Sequence, residues 1–213
     1  MPASESESLE GLVAPIAARF NAREHDARET ALAATRRLVR LSANTIRAVH
    51  RGDVEDARKL LADARAAHEE TNAALREHPD IYHAGFVHDA QKEYAEASAT
   101  LALLTGQPLP GPADLVVEDA AYLNGLGETV GELRRALLDR LRTGRHAECE
   151  QLLQQMDDIY AVLVTVDYPD AMTGGLRRTT DQARGILERT RGDLTMAIVM
   201  REATGQMSSE LES

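Results

Sequence analysis

The chain has 213 residues, 43% of them hydrophobic, 28% charged and 3% aromatic, with no tryptophan. That length can bury a sizeable core in one domain, and the aromatic poverty argues against a β-sandwich or barrel, whose strands favour Tyr, Phe and Trp. A net charge of −11 disfavours nucleic acid as a surface average, and the lone cysteine, Cys149, excludes an intrachain disulfide and a cysteine-based zinc site.

Nearly every segment repeats its apolar residues at a helical spacing, and none alternates as a strand would. Residues 1–8 are polar and acidic and read as a loose tail. A short helix over 9–20 and a long one over 23–51 follow, with Gly52 as a stop and Asp53 as a new start. The next helix covers 53–77, ahead of Pro79, and Asp80 starts another reaching 104. Gly106-Gln107-Pro108-Leu109-Pro110-Gly111-Pro112 is the strongest break in the chain. Helices are then predicted over 118–142, 146–166 and 176–202, separated by Gly144, by Asp167-Tyr168-Pro169-Asp170 and by Gly174-Gly175. Residues 204–213 read as a second loose tail. The pattern predicts an all-α, single-domain antiparallel bundle of about seven helices over residues 1–213.

No stretch is long and apolar enough to span a membrane: the run 159–166 is interrupted by Thr165. The polar start does not resemble a secretory signal, so the expected location is the cytoplasm. Of the 24 basic residues only Lys59 and Lys92 are lysine. Excess acid with so little lysine fits the cytosol of a salt-accumulating microbe, or a GC-rich genome.

Charge is distributed unevenly. On the 23–51 helix, Arg36, Arg40, Arg47 and Arg51 fall within an arc of about 60°, beside Arg37 and Asn44 and opposite Leu38, Leu41, Ile46 and Val49. Such a row of guanidinium forks would track phosphate oxygens, or pair with carboxylates of a neighbouring helix. Glu93 and Glu96 lie about 60° apart on one helix, and Glu128 and Glu132 about 40° apart on another. Four convergent carboxylates would repel one another and call for a hard cation such as Mg²⁺ or Mn²⁺. Taken singly, the same residues read as ordinary helix surface, with Lys92–Glu96 and Glu132–Arg135 as intrahelical pairs. Gly125, Gly127 and Gly131 each weaken their helix by about 1 kcal/mol relative to Ala, which points to a close approach by another backbone or a ligand. His78, His83 and His88 are spaced so as to scatter around a helix, and Cys149 reads as a small core residue.

Several runs together resemble the translin/Trax family. They are Ser42-Ala43-Asn44-Thr45-Ile46-Arg47-Ala48-Val49-His50-Arg51, Gln91-Lys92-Glu93-Tyr94-Ala95-Glu96-Ala97, Tyr122-Leu123-Asn124-Gly125-Leu126 and Gly131-Glu132-Leu133-Arg134-Arg135. The resemblance spans about residues 25–200 in the family's order and implies an all-α protomer that assembles into a hollow homo-oligomer, such as an octamer, binding single-stranded RNA or DNA. Trax-type members are metal-dependent endoribonucleases. Their acidic cluster carries over onto Glu93, Glu96 and Glu132, with Glu128 standing where Trax typically has Asp, an arm longer by more than about 1 Å. The family's basic patch carries over onto Arg36, Arg37, Arg40, Arg47 and Arg51. The resemblance therefore implies a Mg²⁺- or Mn²⁺-dependent endoribonuclease on single-stranded RNA. The alternatives are a non-catalytic, translin-like single-strand binder and a helical scaffold whose arginines make a subunit contact.

Overall fold

The computed structural model describes residues 9–23 and 25–211. Residues 1–8, expected as a tail, lie outside this range, as do 212 and 213. Every regular element among the described residues is helical: α1 (Leu9–Arg23), α2 (His25–Arg51), α3 (Val54–Leu75), α4 (Pro79–Tyr82), α5 (Gly85–Thr105), α6 (Pro112–Leu115), α7 (Asp119–Arg142), α8 (His146–Val164), α9 (Asp170–Thr173) and α10 (Leu176–Leu211). Seven of these helices have 15 residues or more, and α4, α6 and α9 are single turns of four. The architecture is the all-α bundle expected from the periodicity.

Two expectations need correction. The helix expected from Asp80 is split. Pro79–Tyr82 makes one turn, the chain breaks at His83 and Ala84, and α5 starts at Gly85. The expected tail after residue 203 is instead helical through Leu211, because nothing between 203 and 211 except Gly205 opposes propagation of a helix already formed.

The core falls into two halves. Leu38 of α2, Ala64 and Ala67 of α3, and Ala90, Tyr94 and Ala95 of α5 make one. Leu126, Val130, Leu133 and Leu137 of α7 pack with Leu152, Met156, Ile159 and Leu163 of α8 and Leu176, Leu187 and Leu194 of α10 to make the other. Helices α5 and α7 pack on each other and join the halves. The abundance of buried alanine in α2, α3 and α5 lets these helices lie close together.

The crossing of α5 and α7 depends on glycine. A Cβ on Gly125 would sit 2.5 Å from the carbonyl oxygen of Lys92, 2.9 Å from Ala95 Cβ and 3.0 Å from the backbone nitrogen of Glu96. Glycine is the only residue that fits there. Gly127 is similarly crowded by Thr179 Cγ2, at 2.5 Å from the corresponding Cβ position. The close backbone approach expected from this glycine cluster is therefore found at Gly125, whereas Gly127 meets only side chains and Gly131 meets only Ile186 at 4.0 Å. Buried Gln91 fixes the register of the crossing. Its Nε2 donates to the Tyr82 hydroxyl at 3.1 Å, its Oε1 accepts from the Glu118 backbone N–H at 3.1 Å, and the Tyr82 hydroxyl donates to Glu118 Oε1 at 3.0 Å. One side chain of α5 thus satisfies a backbone donor that the start of α7 leaves open.

Candidate metal centre and arginine face

Gly125 sits one turn before Glu128 on α7 and touches the backbone of α5 between Lys92 and Glu96. The spacing of 3.6 residues per turn then places Glu128 over the acidic pair of α5. Carboxylate oxygens of Glu93, Glu96 and Glu128 lie within 4.8 Å of one another, all three side chains half-buried. Two acidic positions from α5 and one from α7, remote in sequence, are therefore brought together.

Glu132 stands apart from this triplet. Its Oε2 accepts from His50 Nε2 of α2 at 2.5 Å and lies 3.7 Å from Arg135 Nη1. The His50 side chain is only 5% exposed, so this bond ties α2 to α7 from inside the bundle. The expected convergence of four carboxylates thus holds for three, with the fourth engaged by a histidine. The expected Glu132–Arg135 pair is present. Lys92, expected to serve Glu96 on its own helix, instead reaches across to Glu128 Oε1 at 2.8 Å.

The electrostatics follow from burial and like charge. Burial pushes the Glu96 carboxyl up to about 8, and the charges of Glu93, Glu128 and Glu132 add to the effect, with Lys92 opposing. Burial also raises Glu93, against Lys92 and with Glu128 and Asp89. Glu132 moves the other way: the His50 hydrogen bond holds it below the usual range despite burial. Burial works against the Lys92 ammonium, but the Glu128 hydrogen bond and the charges of Glu128, Glu93 and Asp89 outweigh it, and it is held above its ordinary value. One carboxyl at the crossing is therefore protonated over much of the neutral range. Replacing that proton with a divalent cation would relieve the same repulsion. Three hard oxygen donors without sulfur or imidazole among them suit Mg²⁺ or Mn²⁺.

The arginines of α2 show a different arrangement. Arg36, Arg40, Arg47 and Arg51 are exposed, and Arg37 is half-exposed. Arg37 pairs with Glu70 of α3. Arg47 donates to Asn44 Oδ1 at 2.7 Å, and Arg51 lies 2.9 Å from Asp53 and 3.7 Å from Asp56. Arg36 and Arg40 have no ion-pair or hydrogen-bond partner among the described side chains. The row is thus partly neutralised at Arg37 and Arg51 and open at Arg36 and Arg40. Cys149 is buried in the α7–α8–α10 core, as expected. No helix among the described residues is long and apolar enough to cross a membrane.

No protein-family model matches the chain. An uncharacterized protein of Methanocaldococcus jannaschii is 30% identical over 180 residues, covering 84% of this chain and 80% of that protein. Among solved structures, C3PO of Archaeoglobus, a translin/Trax-type protein, superposes with a TM-score of 0.81 at 36% identity, covering 89% of this chain and 98% of its own. The chain belongs to the translin/Trax family. C3PO of Neurospora shares the translin/Trax fold at 20% identity, with a TM-score of 0.77 and coverage of 89% and 99%. That Archaeoglobus structure is a complex with duplex RNA. Within this translin/Trax chain, two neighbours of the acidic residues carry no signal in the sequence. His50 is 82 residues from Glu132, and nothing local to either residue signals the contact. Lys92 had a nearer partner by spacing in Glu96.

Proposed function

We propose that this chain is a Mg²⁺- or Mn²⁺-dependent endoribonuclease acting on single-stranded RNA within a homo-oligomer. The observation that carries this reading is the triplet of Glu93, Glu96 and Glu128 within 4.8 Å at a helix crossing, one of them shifted to about 8. Like charges at that range, partly withdrawn from water, favour a divalent ion between them. Glu93, Glu96 and Glu128 would hold it, and Glu132, oriented by His50, would complete the acidic set from the adjoining turn of α7. A bound Mg²⁺ or Mn²⁺ supplies a Lewis acid for phosphodiester hydrolysis. The protein's own part is to fix the carboxylates through the Gly125 contact and to present Arg36 and Arg40 to the strand.

RNA as the partner is supported by the likeness to Archaeoglobus C3PO, whose structure holds duplex RNA. The test is incubation of a labelled single-stranded RNA with purified protein, with Mn²⁺ and with chelator, and with a duplex of the same sequence as competitor. Metal-dependent internal cleavage is expected. Glu93→Ala and Glu132→Ala are expected to abolish it while RNA binding survives. Equal cleavage by wild type and both variants would end the proposal.

One observation favours a second reading, a non-catalytic binder of single-stranded RNA or DNA. Glu128, an Asp in the Trax pattern, is already neutralised by Lys92. That reading expects salt-sensitive binding, lost on Arg40→Ala and Arg47→Ala, with no metal-dependent product.

A further inference from the structure

The acidic crossing already contains a cation. Lys92 Nζ lies 2.8 Å from Glu128 Oε1, with the lysine side chain 22% exposed and the glutamate 34%. The charges of Glu93 and Asp89 also act on this ammonium. Lys92 immediately precedes Glu93 on α5, and its own carbonyl oxygen is the atom packed most closely against Gly125. Its backbone is therefore fixed at the crossing, and its side chain reaches the α7 carboxylate of the triplet rather than solvent or Glu96. A divalent ion held by Glu93, Glu96 and Glu128 together would share the Glu128 carboxylate with the Lys92 ammonium.

We propose that Lys92 is an intramolecular competitor for the metal, so that the ion binds the crossing by displacing the ammonium from Glu128. This rests on the metal-centre reading above. Lys92 thereby sets the affinity of the site. Glu93 and Glu96 bind the ion at no cost in broken pairs, whereas Glu128 joins only when its salt bridge opens. The freed ammonium remains beside the ion and disfavours it by like charge until an anion such as a phosphate group neutralises it.

The experiment is a titration of chelator-stripped full-length protein with Mn²⁺, followed by calorimetry and by electron paramagnetic resonance of the free ion. It compares wild type, Lys92→Gln, Lys92→Met and Lys92→Arg, with Glu96→Gln as the site control. Thermal melts establish that each variant is folded. Lys92→Gln and Lys92→Met are expected to bind Mn²⁺ about tenfold more tightly than wild type, a difference of about 1.4 kcal/mol. Lys92→Arg, which keeps the competing charge, is expected to stay within about twofold of wild type. Mn²⁺ affinity that is unchanged or weaker in both neutral variants, with Glu96→Gln still losing the ion, overturns the competitor role and leaves the metal centre standing. Absence of Mn²⁺ binding in wild type and in both neutral variants overturns the metal centre and the competitor together.

Discussion

The α5–α7 crossing and the exposed face of α2 are both dense in charge, but they are built in opposite ways. At the crossing, backbone contact at Gly125 forces three carboxylates to within 4.8 Å of one another. On α2 the arginines are spread along a solvent-facing row, and Arg36 and Arg40 touch no described partner. Water screens such groups, and their mutual repulsion is small. The acidic site is held against its own electrostatics by packing, while the basic row sits on a helix that would fold as well without it.

The largest effect should come from the backbone contact itself. Gly125→Ala adds a methyl group 2.5 Å from a main-chain oxygen, which cannot yield as a side chain tip does. The overpacking penalty of about 1–3 kcal/mol outweighs the gain in helix propensity of about 1 kcal/mol. Gly131→Ala, six residues on, meets only Ile186 at 4.0 Å and should show that gain. Opposite signs of the two changes in melting temperature are expected. A stabilising Gly125→Ala would mean that the crossing is looser than this, and would blur the contrast between the two regions.

Next in size is the pH response of the crossing. The Glu96 carboxyl is raised from 4.5 to about 8 by burial and its acidic neighbours. The folded chain therefore keeps a proton that the unfolded chain has lost. Stability from this group is complete below about 4.5 and declines as pH rises through about 8. In chelator, wild type should lose several degrees of melting temperature between pH 5 and pH 9 relative to Glu96→Gln, and the two should be nearest at pH 5. Parallel curves would show that the carboxylates are not packed as tightly as their geometry demands. Added Mn²⁺ should remove the difference by replacing the proton.

Much of this was legible in the sequence, for identifiable reasons. The 3.6-residue period and the Gly and Pro breaks gave the seven long helices, because those signals act within a few residues. The thinning of α7 by glycine pointed to a close approach, since three weak helix formers in seven residues need compensation. The partner of that approach, the Lys92 carbonyl, could not be read, because it depends on how two helices cross. The same holds for His50 and Glu132, which meet through the packing of α2 on α7. The split at His83–Ala84 was hidden because Asp80 is a good helix start and the apolar spacing continues past it. The end of α10 is not legible because polar residues that continue a helix have the same composition as a loose tail.

The smallest expected effect on the fold belongs to Arg36 and Arg40. Both are exposed on α2 and lie opposite buried Leu38 and Ile46, so neither contributes packing to the core. The double variant Arg36→Ala, Arg40→Ala should stay within about 0.5 kcal/mol of wild type in stability. The open guanidiniums should matter only to a polyanion. If each neutralises one phosphate, their loss should flatten the dependence of log affinity on log salt by about 1.4–1.8, the slope being about 0.7–0.9 per phosphate. The same titration on Arg37→Ala should change the slope less, because Arg37 is already paired with Glu70. A double variant that binds a labelled RNA with an unchanged slope would move the nucleic-acid face off this part of α2. A double variant that unfolds would show that the arginines brace the helix, and the two charged regions would then be less different than their exposure indicates.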